Sequence, residues 1–362
     1  MTRPHPHIAA MAPYALADLA APPGVPLLSL SQNESLCPPS PAAVAAAAET
    51  LGQGALYPDP DWTDLRRAIA AVHGIDAGGI LCGAGSLDLI GCLMRAYAGP
   101  GRAVLAPAHA YPFFATAAAM AGACCDAAPE TGGVVHVAAL LEAQRADTAV
   151  VCVANPGNPT GTRIPNAEIR ALRAGLRDDV LLIVDEAYGE FADHLEPSPF
   201  DMVEAGNTVM LRTLSKAYGL AGFRVGWGLF PAAIGAEVRK VMNPNNIGAV
   251  AQAAAAAAMR DQAYMRATCA QTAQAREAAV ARLERIGLAC LPGFTNFVLI
   301  DIGTAARAAR ADAYLRARGI FLRAQGGAGL PHALRMTLAG PADLGRALEA
   351  LAAWQEEEED RP

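Results

Sequence analysis

Thr213-Leu214-Ser215-Lys216-Ala217-Tyr218-Gly219-Leu220-Ala221-Gly222-Phe223-Arg224-Val225-Gly226 sets one lysine among small residues and hydroxyls, with an arginine eight positions further on. A lysine is nucleophilic only when deprotonated, and a partly desolvated, electropositive site lowers its pKa towards that form. Thr213 and Ser215 can give hydroxyl hydrogen bonds to a phosphate, and Arg224 can clamp one bidentately. The stretch therefore has the parts to hold a phosphorylated aldehyde as a Schiff base. Read alone, it is more readily a surface lysine in a glycine-rich loop, so the weight falls on its surroundings.

Short apolar runs alternate with alanine-rich stretches of helical character through the middle of the chain. They fall at Ala103-Val104-Leu105 and at 148–153, 180–184 and 208–211. Continuous apolar runs between helices are the pattern of strands buried on both faces of a mostly parallel sheet, hence an α/β chain. Binding residues in such sheets collect at the carboxyl ends of the strands. After about Ala249 a long helical region leads to a second, α+β unit, with a strand over 297–301 and a helix near 342–354. This reading divides the chain into an arm over 1–41 that joins the smaller unit, a large domain over 42–250 and a small C-terminal domain over 251–362.

More than half of the residues are hydrophobic, enough for a substantial core, and the net charge of −7 with no basic stripe argues against nucleic-acid binding. No apolar run is long enough to span a bilayer, and residues 1–7 lack the pattern of a signal peptide, so a cytoplasmic location is expected. The eight cysteines show no Cys-x-x-Cys and no Cys/His ligand spacing, which predicts free thiols in a reducing compartment and no metal. The acidic run over 356–360 reads as a frayed tail.

Four further motifs follow the apolar runs in order: Gly83-Ala84-Gly85-Ser86-Leu87-Asp88, Asn155-Pro156-Gly157-Asn158-Pro159-Thr160-Gly161, Asp185-Glu186-Ala187-Tyr188, and Leu334-Arg335-Met336-Thr337. Together with the lysine segment they resemble the class I and II aminotransferases among the fold-type I pyridoxal-phosphate enzymes, and within them the histidinol-phosphate aminotransferase branch. The resemblance runs from about Tyr14 to Gly340.

It implies a fold-type I architecture and pyridoxal 5'-phosphate as cofactor, held by Lys216. Asp185 would pair with the protonated pyridine nitrogen, a gross attraction on the order of 5 kcal/mol at ~3 Å and an effective dielectric of ~20. Tyr188 and Asn158 would hydrogen-bond the cofactor's phenolic oxygen. Gly85, Ser86 and the Leu87 amide would cradle the phosphate at a helix start, with Thr213, Ser215 and Arg224. Leu87 stands where the family often has an acidic residue, which keeps the backbone contact and removes any side-chain role. In His109-Ala110-Tyr111-Pro112-Phe113-Phe114 the resemblance assigns Phe114 to stacking on the ring, with Tyr111 nearby. Tyr57, in Tyr57-Pro58-Asp59-Pro60, would reach the phosphate of the neighbouring subunit, which implies a homodimer.

On the substrate side, Arg335 would fork a carboxylate, with Asn158, Tyr111, Arg323 and the Asn33-Glu34 pair around it. The expected reaction moves an amino group from an L-amino acid or a histidinol-phosphate-like amine to a 2-oxo acid by a ping-pong route. A related decarboxylase or lyase, or a non-catalytic binding protein of the same fold, are the alternatives. The segments Asn33-Glu34-Ser35-Leu36-Cys37 and Pro244-Asn245-Asn246-Ile247-Gly248 depart from the family's pattern, and the sequence leaves the amino donor open.

Overall fold

In a computed structural model that describes residues 2–14 and 19–359, the apolar runs form a seven-stranded sheet. Its strands are β1 (Ile80–Gly83), β2 (Ala103–Pro107), β3 (Cys125–Ala128), β4 (Thr148–Ala154), β5 (Leu181–Asp185), β6 (Thr208–Thr213) and β7 (Gly226–Leu229). They lie in the order β1-β7-β6-β5-β4-β2-β3. Only β7 runs against the others, pairing antiparallel with both β1 and β6. Every residue of β4, β5 and β6 is buried, because helices cover both faces. Each Leu, Ile or Val sealed there contributes about 1.5–3 kcal/mol of burial, which holds the strand ends rigidly in place. The fold-type I architecture follows the expectation, and this rigid edge carries the site.

A second sheet lies beyond it: β8 (Ala289–Cys290), β9 (Phe297–Asp301), β10 (Arg323–Gln325) and β11 (Leu330–Thr337), in the order β10-β11-β9-β8 and antiparallel throughout. Leu28–Ser29 pairs in parallel with Ile320–Phe321, and Leu28 and Leu30 are buried in the core of this unit. The arm is not uniform, however. Residues 6–9 form a short helix beside the large sheet's flank, where His7 approaches Gly122 and the Tyr14 ring meets Phe113 at 6.0 Å. Met1 and residues 15–18 of the arm lie outside the described residues.

Two boundaries differ from the sequence reading. Helix Ala249–Arg260 packs its small side chains against Pro41–Thr50 and Thr63–His73, so Ala254 to Met265 belong to the larger core. The change of core falls within the long helix Gln262–Arg285, whose Ala279 and Leu283 enter the second core. The acidic run is not frayed over its described part: helix Pro341–Glu359 continues through it, with Glu358 paired to Arg310 and Glu357 accepting from Tyr314 Oη at 2.9 Å. Residues 360–362 lie outside the described residues. Among the described residues no helix is long and apolar enough to cross a membrane.

Candidate active site

Parallel strands deliver their carboxyl ends to one edge, and β7, running the other way, delivers its amino end there. A cavity of about 480 Å³ opens along this edge. Gly85, Ser86 and Leu87 reach it from β1, Tyr111 from β2, Asn158 from β4, Asp185 and Tyr188 from β5, and Thr213, Ser215 and Lys216 from β6. Arg224 enters just before β7, Arg323 and Arg335 come from the second sheet, and Asn33 comes from the arm. These residues are dispersed along most of the chain, and the strand order of the large sheet, the second sheet and the arm bring them together.

The phosphate-binding candidates form one group. Helix Ser86–Tyr97 starts at the cavity, and the first N–H groups of a helix have no partners within it. Asp88 holds the turn by accepting from Ala84 N at 3.1 Å. The Gly226 α-carbon presses so closely on this turn that a Cβ there would lie 2.2 Å from Ser86 N. Arg224 sits over the turn: a Cβ on Gly85 would meet its Nη2 at 2.7 Å. Thr213 Oγ1 donates to Ser215 Oγ at 3.0 Å, which sets the two hydroxyls side by side.

Lys216 Nζ donates to Asn33 O at 2.8 Å and Gln32 O at 3.3 Å. Burial, and then the charges of Arg335 and Arg224, lower its pKa to about 7, so a large share of the amine is neutral at physiological pH. Asn33 is buried in a left-handed conformation (φ 54°), which asparagine tolerates better than most residues. Its Nδ2 donates to Tyr188 Oη at 2.7 Å, while its own carbonyl also accepts from Asn296 Nδ2 at 3.1 Å.

Several polar groups facing the cavity have their bonding capacity unspent. Tyr188 Oη accepts from Asn33, and its own hydrogen has no acceptor among the described residues. Asn158 Oδ1 accepts from Arg335 Nη1 at 2.6 Å, which turns its NH₂ away as an unused donor. Asp185 accepts from Ala187 N at 3.1 Å and has no salt bridge to a described cation; burial pushes its pKa up to about 7. Arg335 is 8% exposed, its Nη2 donates to Ser31 O at 2.8 Å, and its Nε has no partner. A buried guanidinium without a carboxylate and a buried carboxylate without a cation each cost free energy unless a ligand completes them. The set fits pyridoxal phosphate: a carboxylate able to take a cation, two unused donors in the lining, a phosphate cradle and a partly neutral lysine.

One assignment changes. Phe114 is fully buried in the main core, because it lies on the inward face of helix Phe113–Met120, and it does not line the cavity. Tyr111, packed edge-on to it at 5.8 Å, is the ring that does. Tyr57 is 88% exposed and lies away from its own chain's cavity, as a residue expected to act on a neighbouring subunit would. Sequence reasoning missed Tyr14, Ser31, Gln32 and Gln325, which all line the site. Only chain crossings bring them there, and none carries a local pattern that marks it.

The sequence profile of aminotransferase class I and II matches residues 25–351. A histidinol-phosphate aminotransferase of Paramagnetospirillum magneticum is 42% identical over 341 residues, spanning 92% of this chain and 93% of that protein. One from Granulibacter bethesdensis is 39% identical over 97% of this chain and 96% of its own. Among solved structures, histidinol-phosphate aminotransferase from Sinorhizobium meliloti in complex with pyridoxal-5'-phosphate superposes with a TM-score of 0.91 at 30% identity, covering 99% of both chains. The chain belongs to the class I and II aminotransferases and is a pyridoxal-phosphate-dependent aminotransferase acting on small molecules.

Proposed function

We propose that the amino donor is a phosphorylated amino alcohol of the histidinol-phosphate kind and that the acceptor is a 2-oxo acid. The observation that carries this is Arg335, a buried guanidinium with an unspent Nε and no carboxylate, sharing its cavity with Arg323. Two guanidinium groups suit a dianionic phosphate. Arg224, Arg323 and Arg335, with the partly neutral Lys216, line the cavity against the carboxylates of Asp185 and Glu34. Tyr14, Gln32, Glu34 and Gln325 around it are polar, which favours a donor with a hydrogen-bonding side group over an apolar one. The relatives named for histidinol phosphate support the same reading.

In this reading Gly85, Ser86 and Leu87, with Thr213, Ser215 and Arg224, hold the cofactor's phosphate. Asp185 would pair with its ring nitrogen, Tyr188 and Asn158 would hold its phenolic oxygen, and Tyr111 would pack on its ring. Bound pyridoxal phosphate supplies an electron sink and carries the amino group between the two halves of the reaction. Arg335 and Arg323 anchor the donor's anionic group and thereby aim one C–H bond at Lys216. Lys216 Nζ, neutral, takes the proton from the amine-bearing carbon, and as the ammonium it returns a proton later in the cycle. Asn33 O, which accepts from Nζ, keeps the lysine at the cavity wall while it does so.

The working assembly is a homodimer in the cytoplasm. Leu51, Leu56 and Tyr57 are 66%, 71% and 88% exposed, a cluster of apolar side chains that a second copy would cover. Tyr57 would then complete the cavity of the neighbouring subunit. All eight cysteines are free, in keeping with a reducing compartment.

Single-turnover reactions test the donor. The visible absorbance of bound cofactor is followed after mixing with histidinol phosphate, L-glutamate or L-phenylalanine. Fastest conversion by histidinol phosphate is expected; rapid conversion by phenylalanine with none by histidinol phosphate would replace this reading with an aromatic amino-acid donor.

A further inference from the structure

On the far side of the same strand ends lies a charged cluster that the reaction does not touch. Arg212 precedes Thr213 and is 1% exposed. Its Nε donates to Glu186 at 3.1 Å, its Nη1 to Glu190 at 3.3 Å, and its Nη1 and Nη2 to Asp193 as a fork at 2.9 and 2.6 Å. Ser198 Oγ bridges Nη2 and Glu186, and the Phe200 ring lies 5.7 Å from the guanidinium carbon. Gly189 completes the enclosure, since a Cβ on it would meet Nη2 at 2.8 Å.

Strand alternation gives the cluster its meaning. Successive side chains point to opposite faces, so Glu186 lies below while Asp185 lines the cavity, and Arg212 lies below while Thr213 lines it. Glu186 N also donates to Leu211 O at 2.8 Å, extending the β5–β6 ladder by one rung at this point. The end of β5 and the turn that follows it carry Asp185 and Tyr188 above and Glu186, Glu190 and Asp193 below, and the turn closes around a single guanidinium.

We propose that Arg212, with Glu186, Glu190 and Asp193, is a positioning device that fixes Asp185 and Tyr188 relative to Thr213, Ser215 and Lys216. A five-donor planar fork is suited to this task, because it reaches several residues of the turn at once while anchored to the next strand. Asp185 and Lys216 reach the cavity from neighbouring strands, and a misplacement of ~1 Å between such groups costs on the order of 100-fold in rate. The proposal rests on Lys216, Asp185 and Tyr188 meeting the cofactor. A wild-type absorbance titration, with Lys216→Ala as control, tests that premise separately.

The experiment compares Arg212→Lys and Asp193→Asn with the wild type as holoenzymes. Arg212→Lys keeps the charge and loses the fork; Asp193, partly exposed, can be neutralised with little risk to folding. Each is assayed for melting temperature, pyridoxal phosphate affinity, kcat and KM, and the pH midpoint of the bound cofactor's absorbance change. Arg212→Lys is expected to move that midpoint by about 0.5 pH unit or more, and to lower kcat roughly 10- to 100-fold with little change in KM. Asp193→Asn should show smaller changes in the same direction. A lowered melting temperature with unchanged midpoint and kcat in whichever variants fold, Asp193→Asn alone if Arg212→Lys does not, would make the cluster merely structural and overturn the proposal.

Discussion

The two faces of one pair of strand ends carry charge in opposite ways. Below, Arg212 is enclosed by Glu186, Glu190 and Asp193, and every nitrogen of its guanidinium has a partner. Above, Asp185 has no salt bridge to a described cation and Arg335 none to a described carboxylate, although both are buried. Burial of charge is tolerable when it is paired or when something else arrives to pair it. The paired face is scaffold and the unpaired face is the site.

The sharpest way to break this contrast is to remove the group the upper face is built around. Lys216→Ala should abolish the bound cofactor's visible absorbance and lower turnover by about 10³-fold or more; near-wild-type turnover would remove the lysine from the chemistry. Crowding the phosphate cradle from the neighbouring strand should act next most strongly. Gly226→Ala puts a methyl 2.2 Å from Ser86 N, so the phosphate cradle must move. Cofactor affinity measured on the apo-protein should drop roughly 10- to 100-fold, with far-UV circular dichroism unchanged. Unaltered affinity would place the phosphate elsewhere.

Arg335→Met sharpens the contrast from the substrate side. With the anion's partner gone, KM for the donor should rise by about 10-fold or more while cofactor affinity stays near wild type. An equal loss in cofactor affinity would mean that Arg335 serves the cofactor and not the donor. The same variant makes a smaller, signed pH prediction. In the cofactor-free protein the pKa of Lys216 is lowered to about 7, by burial first and then by Arg335 and Arg224. Covalent capture of pyridoxal phosphate should therefore accelerate as pH rises through about 7 and level off above it. Removing the Arg335 charge removes a factor that lowers the lysine's pKa, so the midpoint should move to higher pH; a midpoint that stays or falls would deny the coupling.

Much of the upper face was legible in the sequence because its residues sit at the ends of apolar runs. Asp185 closes 181–185, Asn158 follows 148–154, and the lysine segment follows 208–213. The lower face was not legible, since Arg212, Glu190 and Asp193 acquire meaning only when a turn folds back under the sheet. Phe114 was misassigned for a related reason. Adjacent aromatics compete for one role, and helix phase, which puts Phe114 in the core and leaves Tyr111 at the cavity, decides between them. The domain boundary was read from an alanine-rich helix whose composition does not say which core it will join.

The account's central claim is that the unpaired charges of the upper face are completed by ligands, and Asp185 offers the most direct test. Holoenzyme is prepared with ¹⁵N-labelled pyridoxal phosphate, and the ring nitrogen's chemical shift is recorded in the wild type and in Asp185→Asn. A protonated ring nitrogen in the wild type that becomes unprotonated in Asp185→Asn is the predicted result. An unprotonated nitrogen in the wild type, or one indifferent to the substitution, would contradict it.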